Sequence, residues 1–425
     1  MSIPASSAAA ARRLATAGRL AIVLIALLAL SLPAAAGDWQ GRSETRDGVV
    51  HVLNTDQPIE SPQTLSLDEL WRLGGDSEDE DEFFGLISRI ITDADGNVYL
   101  LDSQLSEVKV YSADGEYLNT LGREGEGPGE FMRANSVFFA PGGSIGVLQA
   151  APARLVRLTL DGEPAGDFDL PAREDGGFRI FMGAQSAGDQ LYFLWMDQIF
   201  SEGHLTQNWT LSSVDAEAQP VAEYYTEARE LDFANLVIDE EKLDTVQNRW
   251  MIGHDGRVYT APKHRSYEIM SWEADGGGAR VIEREYDHYE RDGDQKQEMH
   301  NLYEAFTRQA PNATIKVSDV DADVFRFYPR EDGSLWVLSS HGVRARPEGA
   351  LGVFDVFDDD GRFVRQVTLM GEGNPHEDGL HFVGDRLYVV TDLISAAVAL
   401  QGGGVGGDDE EEAEPMAVIC YRIGS

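Results

Sequence analysis

Side-chain oxygen atoms are the chemical groups that this sequence offers in greatest number. The chain has 74 Asp and Glu residues against 34 Lys and Arg, and its formal net charge is −40. Carboxylate and amide oxygens are the ligands that Ca²⁺ takes in proteins. A set of such residues falls where the repeat described below should begin its innermost strands, and it consists of Asn135, Asn248, Asp323, Glu377 and Asp378. The sequence therefore raises the hypothesis of a Ca²⁺ site formed by these side chains.

A second set of polar residues falls in or beside the predicted connections between strands. Histidine can bind a metal or exchange a proton near neutral pH, and aspartate can accept hydrogen bonds from a ligand. The set consists of Asp102, Asp197, His264, His341, His376 and Asp392. We predict that these residues contact a ligand, and an ordinary surface or packing role is the alternative for each histidine.

Other kinds of chemistry find little support in the sequence. The nine histidines are scattered without an H-E-x-x-H motif, which argues against zinc. The glycine-rich stretch 123–131 carries three glutamates and no P-loop lysine, so it would repel a phosphate. We predict no nucleophile elbow and no nucleic-acid binding, because a strongly acidic surface repels nucleic acid.

Three alternating aspartates begin like a calcium-binding loop but do not complete it. In the EF-hand pattern, glycine is required at the position of Val324 and glutamate at the position of Arg330. We expect these carboxylates to share the solvent face of an edge strand, since alternate residues of a strand point the same way. They are Asp319, Asp321 and Asp323.

The elements that would position the candidate residues form a repeat. The stretch 90–122 reads as β-strands separated by Asp95-Gly96 and Asp114-Gly115, and Asp-Gly between β-rich runs is a strong hairpin signal. Six first turns, three of them Asp-Gly and the others Gly-Gly or Gly-Asp, precede the runs VYLLD, IGVLQ, LYFLW, VYTAP, LWVLS and LYVVT. The sixth repeat lacks its last strand, and we predict that residues 70–73 supply it and close a ring. Residues 48–53 are expected to add a further edge strand there.

The pattern DGNVYLLDSQLSEVKVYSADGEYLNTLG, followed by GEGPGEF, resembles the NHL-type six-bladed β-propeller repeats of bacterial exported proteins. The resemblance implies an all-β fold of six four-stranded antiparallel blades over residues 64–425. It does not select an activity, because the superfamily includes gluconolactonase-like hydrolases, lyases, ligand sensors and protein-binding platforms.

The remaining segments have their own signatures. Residues 1–36 have three arginines, an apolar run and small residues at the end, which predicts a secretory signal peptide, with a retained anchor as the alternative. Residues 37–63 are an N-terminal extension. An apolar stripe at helical spacing predicts a helical insertion at about 291–310, between blades four and five. Residues 402–415 read as an acidic low-complexity loop. We therefore expect an exported protein, periplasmic or extracellular and without a membrane span once the signal is cleaved.

Alternating strand directions place the long connections on one face of the predicted ring, which we call the loop face. The expected insertions there are 197–207, 227–247, 287–314, 340–352 and 393–415. Because rigid scaffolds carry function on long loops, we predict a monomeric binding or scaffold protein whose loop face holds a protein, peptide or glycan ligand. The alternative is a cation-dependent hydrolase or lyase with its metal at the mouth of the central channel.

Overall fold

The computed structural model describes residues 37–173, 177–201, 204–243, 246–307, 312–400 and 415–424. The predicted signal peptide, nearly all of the predicted acidic loop and residues 308–311 lie outside these ranges. Three strands precede the first blade: β1 (Arg42–Arg46), β2 (Val49–Asn54) and β3 (Gln63–Gly74).

Each blade is a four-stranded antiparallel unit whose first strand is innermost. Blade 1 contains β4 (Ile87–Thr92), β5 (Val98–Asp102), β6 (Glu107–Tyr111) and β7 (Tyr117–Leu121). Blade 2 contains β8 (Ala134–Ala140), β9 (Ser144–Gln149), β10 (Arg154–Leu158) and β11 (Pro164–Phe168). Blade 3 contains β12 (Phe178–Ala187), β13 (Gln190–Ser201), β14 (His204–Val214) and β15 (Pro220–Asp232).

The second half of the chain repeats this plan with longer connections. After β16 (Val237–Asp239) and α1 (Glu240–Leu243), blade 4 contains β17 (Trp250–Ile252), β18 (Val258–Thr260), β19 (Glu268–Trp272) and β20 (Arg280–Arg284). After α2 (Gly293–Phe306) and β21 (Thr314–Lys316), blade 5 contains β22 (Val324–Pro329), β23 (Leu335–Ser339), α3 (Ser340–Arg344), β24 (Ala350–Phe357) and β25 (Phe363–Met370). Blade 6 contains β26 (Gly379–Val383), β27 (Arg386–Val390), α4 (Leu393–Val398) and β28 (Ala417–Ile423).

The tight turns form as their sequences predict. In the first turn, the Asp93 carboxylate accepts hydrogen bonds from the backbone N–H groups of Asp95 and Asn97, both at 2.9 Å. Gly96 has a φ of 82°, which costs glycine little because it has no Cβ. The chain therefore reverses within five residues, and the apolar runs on either side pair as a hairpin.

The ring closes where the first and last blades pack together. One apolar cluster joins Ile90 and Leu100 of blade 1 to Tyr388 and Val418 of blade 6. The innermost strand β4 also lies beside both β8 and β26. The chain is therefore an all-β, six-bladed propeller, and the fold predicted from the repeat is confirmed.

The outer strand of blade 6 comes from the N-terminal part of the chain. Strand β3 pairs antiparallel with β28 and includes the residues 70–73 that we predicted to close the ring. It begins earlier than expected, because its first residues pair in parallel with β25 of blade 5. Blades 5 and 6 are thereby joined into one eight-stranded sheet.

The position predicted for residues 48–53 is wrong. Strand β2 pairs in parallel with β20, so it extends blade 4 instead of blade 6. Asn54 explains the location: its Nδ2 donates to the carbonyl oxygens of Glu283 and Gly361, both at 3.0 Å, and its Oδ1 accepts from the N–H of Phe363 at 2.8 Å. The N-terminal segment thus runs along the outer edges of blades 4, 5 and 6.

Two predicted insertions are partly regular structure. Residues 197–201 and 204–207 belong to β13 and β14, which pair from Leu191 and Val214 to Ser201 and His204. Strand β15 likewise extends to Asp232, and β16 and α1 follow before blade 4. Blade 3 therefore projects beyond the ring on the loop face.

The helical insertion lies on the loop face, where α2 contacts β21 and α4. Asp292 begins the helix with a capping box, in which its carboxylate accepts from the N–H of Gln295 at 2.9 Å. The edge strand expected for residues 319–323 does not form, and Val320 makes only an isolated bridge to Glu290. None of the helices in the described part of the chain has the length and apolar character that crossing a bilayer requires.

Closure of the ring can be tested with the only cysteine of the chain. Trp71 faces Cys420 across the β3–β28 pair, and facing residues have Cβ atoms about 5 Å apart. Trp71→Cys is expected to form an intramolecular disulfide when the protein is refolded and oxidised, detected by non-reducing electrophoresis. Arg72→Cys is the control, because its side chain points to the opposite face. Cross-linked dimers alone, or equal yields from both variants, would contradict closure by β3.

Candidate functional site

A buried ion network fixes the loop-face segments between blades 3 and 5. Arg291 donates from its two terminal nitrogens to the two carboxylate oxygens of Glu240, at 2.7 Å each. Its Nε donates to Oδ1 of Asp321 at 2.5 Å, and Arg344 donates to Oδ2 of the same carboxylate at 2.9 Å. Burial acts to raise the pKa of Asp321, but the two guanidinium groups hold it below its usual value. The network therefore joins α1 to the segment that precedes blade 5.

An open pocket of about 710 Å³ lies beside this network on the loop face. The middle of β15, helix α1, the connection from β18 to β19 and β19 itself surround it. Its lining residues are Tyr225, Glu227, Glu241, Pro262, Lys263, His264, Arg265 and Met270. Its volume falls in the range of pockets that hold small ligands, about 300 to 1,000 Å³.

The pocket presents both signs of charge on fixed side chains. The carboxylate of Glu241 accepts from the Ser318 hydroxyl and from Nε of Arg265, both at 2.7 Å. Although burial opposes them, these bonds hold the pKa of Glu241 below its usual value. Lys263 contacts Glu268 at 2.5 Å. The pocket can therefore bind a ligand that carries both charged and polar groups.

An aromatic side chain also lines the pocket. Tyr225 is half-buried and donates from its hydroxyl to the carboxylate of Glu227 at 3.1 Å. Burial, together with the nearby Glu227 charge, raises the pKa of Tyr225, so its phenol is neutral. A neutral ring beside polar groups is the combination that packs against sugars and peptide side chains.

Two of the predicted residues, His264 and Asp323, lie close together near this pocket. His264 is buried and donates from Nε2 to the carbonyl oxygen of Val320 at 3.0 Å, and its own carbonyl accepts from the N–H of Asp323. The Asp323 carboxylate contacts Nδ1 of His288 at 2.8 Å, and burial raises its pKa. His264 lines the pocket, whereas Asp323 lies buried beneath the loop face.

Three other predicted residues hold the fold together instead of facing a ligand. Asp102 is buried and accepts four backbone hydrogen bonds. Asp197 lies within a strand and forms a two-point ion pair with Arg179. Asn135 donates to the carbonyl oxygen of Phe181 at 2.9 Å and so links blades 2 and 3. A polar residue beside a turn looks the same in sequence whether it serves a ligand or the backbone.

A group of predicted residues meets where blade 6 begins. Asp378 is buried and accepts from the N–H groups of Asn374 and Asp392, at 2.6 and 3.1 Å. Glu377 accepts from the Ser395 hydroxyl at 2.8 Å. His376 packs against Phe325, with their ring centroids 5.0 Å apart. These contacts fix the entry to α4.

The predicted Ca²⁺ ligand set stays a prediction. Within the described residues, no group of three or more His, Cys, Asp or Glu side chains is arranged to hold a metal ion. Asn135, Asp323 and Asp378 are each held by hydrogen bonds to other partners, and the side chain of Asn248 lies outside what the structure describes.

His341 and a serine motif complete the candidate residues. His341 lies between the rings of Tyr286 and Tyr289, each 5.4 Å from it, and its Nε2 donates to the Asp287 carbonyl. The G-x-S-x-G spacing does occur at residues 142–146, which the sequence prediction passed over. It lies in a β-hairpin, where Ser144 is buried and accepts from Nε of Arg157, and not in the strand-to-helix turn of a nucleophile elbow.

Most of the pocket was missed by sequence reasoning, although one signal was present. Lys263, His264 and Arg265 are consecutive basic residues in a chain of net charge −40. Tyr225 and Glu227 gave no such signal, because they lie in the middle of β15 and nothing local in the sequence shows that this strand borders α1 and the β18–β19 connection.

A histidine on an innermost strand makes stability depend on pH. Burial, with the positive charges of Arg89 and Arg326, lowers the pKa of His381 to about 3. As the pH falls below 6.5, the unfolded chain binds this proton before the folded chain does, so stability declines. Between pH 6.5 and 5, the free energy of unfolding should fall by about 1 to 2 kcal/mol less in His381→Gln than in the wild type, as measured by urea unfolding. His254→Gln, at an exposed position, should follow the wild type, and equal pH dependence in all three proteins would contradict the assignment.

The comparisons with known proteins agree with the architecture. A family model described as a 6-bladed beta-propeller matches residues 78–276. No curated protein matches the chain. A calcium-binding protein, regucalcin, from Agrobacterium tumefaciens is 12% identical, with a TM-score of 0.44 over 86% of this chain and 97% of its own. Virginiamycin B lyase from Staphylococcus aureus is 10% identical, with a TM-score of 0.39 over 81% and 82%. Structural similarity at this level of sequence identity does not indicate an activity for this chain.

Proposed function

We propose that this protein is an exported, NHL-type propeller that binds a short peptide segment or an oligosaccharide on its loop face. The observation that carries the proposal is the pocket beside α1, which is lined by a half-buried aromatic ring and by hydrogen-bonded charges of both signs. Peptides and glycans offer what such a pocket recognises, because both combine apolar faces with hydrogen-bonding groups.

The proposal rests on placement as well as on composition. Blade 3 projects beyond the ring beside the pocket, and the Arg291 network holds α1 against the propeller. A binding site formed by rigidly positioned secondary-structure elements loses less conformational entropy when a ligand binds. Export is proposed from the signal-like residues 1–36.

A defined ligand panel tests this function. Short peptides, neutral oligosaccharides and acidic oligosaccharides would be screened by ligand-observed NMR, and their affinities measured by calorimetry. We expect one class to bind, and Tyr225→Ala to weaken its binding about tenfold or more, which corresponds to about 1.4 kcal/mol. Tyr117→Ala is the matched control, because Tyr117 is an exposed tyrosine on blade 1. Binding that is equally strong in Tyr225→Ala, or no binding across the panel, would reject the proposal.

A further inference from the structure

Two arginines occupy matching positions on the innermost strands of blades 1 and 5. Arg89 on β4 and Arg326 on β22 each come directly after a β-bulge, at which the register shifts past Ser88 and Phe325. A bulge turns the residues around it away from the regular alternation of the strand. Blade 6 lies between these two blades, and its innermost strand β26 carries His381.

Arg89 meets solvent although it lies deep within the ring. Its side chain is exposed, while the strands on either side of β4 belong to blades 2 and 6. Enough protein surrounds the guanidinium that burial lowers its pKa, and the charge of Arg326 lowers it further. The solvent beside Arg89 is therefore that of the central channel.

Both arginines donate hydrogen bonds to backbone carbonyl groups. Arg89 donates to the carbonyl oxygen of Ser88 at 3.1 Å, and Arg326 donates to that of Asp378 at 2.8 Å. Within the described residues, no carboxylate forms an ion pair with either guanidinium. In a chain with 74 acidic residues, two guanidinium groups on the inner strands of one ring repel each other, and an anion between them would offset that repulsion.

We propose that the central channel binds a small oxyanion, such as a carboxylate, between Arg89 and Arg326. The guanidinium group presents a planar fork of donors that matches carboxylate, sulfate and phosphate oxygens. Because its pKa is lowered to about 3, His381 on the intervening strand β26 is neutral near pH 7 and carries one N–H donor. The site is separate from the loop-face pocket and does not depend on its function.

Malonate and sulfate at millimolar concentration, with ionic strength held constant by sodium chloride, are the probes for this site. We expect saturable binding by calorimetry, with a matching rise in the melting temperature. Arg89→Gln and Arg326→Gln should each weaken the binding about tenfold or more. Arg42→Gln, an exposed arginine on β1, and Tyr225→Ala in the pocket should leave it unchanged. Absence of saturable binding, or an equal loss in Arg42→Gln, would overturn the proposal.

Stability without the anion gives a second, independent readout. If Arg89 serves an anion, Arg89→Gln removes a repulsion, and the variant should be at least as stable as the wild type in chloride buffer. A purely structural arginine would instead lower the melting temperature when replaced, and that result would count against the site.

Discussion

Replacement of Arg291 by methionine is expected to lower the free energy of unfolding by about 3 to 5 kcal/mol. Its guanidinium is the partner of two buried carboxylates, Glu240 and Asp321, which are 3% and 4% exposed. Removal of one partner from a buried ion network leaves uncompensated charge in a medium that solvates it poorly. Urea unfolding followed by circular dichroism measures the change.

Arg265→Met is the matched control for this experiment. Arg265 also contacts a glutamate at 2.7 Å, but its side chain is 42% exposed, so water solvates both charges after the change. In Arg265→Met, the free energy of unfolding should fall by less than about 1 kcal/mol. Similar losses in both variants would show that burial does not set the strength of these ion pairs. Because Glu240 and the pocket residue Glu241 are neighbours on α1, Arg291→Met should also weaken any ligand that binds the pocket.

Replacement of Asp102 by alanine is expected to lower the free energy of unfolding by about 3 kcal/mol or more. Its carboxylate accepts from the N–H groups of Gly85, Leu86, Gln104 and Leu105 at 2.7 to 3.1 Å, and the residue has no exposed surface. Without it, buried donors lose their partner, and each unpaired donor costs about 1 to 3 kcal/mol. Thermal and urea unfolding of the purified variant measure the loss.

Two further variants distinguish this explanation from a general effect of losing an aspartate. Asp102→Asn keeps the shape but replaces one accepting oxygen with a donor, so an intermediate loss is expected. Asp114→Ala removes an exposed aspartate from a turn of the same blade and should change stability by less than about 0.5 kcal/mol. If Asp102→Ala is as stable as Asp114→Ala, the backbone hydrogen bonds to the Asp102 carboxylate do not stabilise the fold as described.

The repeat was predictable because its signals are local. Asp-Gly turns and runs such as Val98 to Asp102 specify hairpins within about twenty residues, and six copies reinforce one another. Strand β3 could be recognised because the sixth repeat lacked a strand and residues 70–73 resembled the missing one.

The placement of β2 and the burial of single aspartates were not predictable from local patterns. Strand β2 pairs with residues about 230 positions away, and the hydrogen bonds of Asn54 that direct it there join blades 4 and 5. Asp321 was expected at the surface with Asp319, yet its partner Arg291 lies 30 residues away and brings it inside. Sequence spacing predicts a face of a strand, but it does not predict a charged partner from another segment.

The candidate site was the least predictable part for the same reason. His264 was predicted to lie on the loop face and it lines the pocket, but the other lining residues come from β15, α1 and the region from the β18–β19 connection into β19. The sequence therefore indicated one lining residue, His264, but it did not show which distant segments meet around it.

Amide hydrogen exchange with the tightest-binding member of the ligand panel tests the central claim of a loop-face binding site most directly. We expect added protection at residues 225–227, at 241 and at 262–270, with the Asp-Gly turns on the opposite face unchanged. Protection centred on those turns, or on the outer edges of the blades, would contradict a binding site on the loop face.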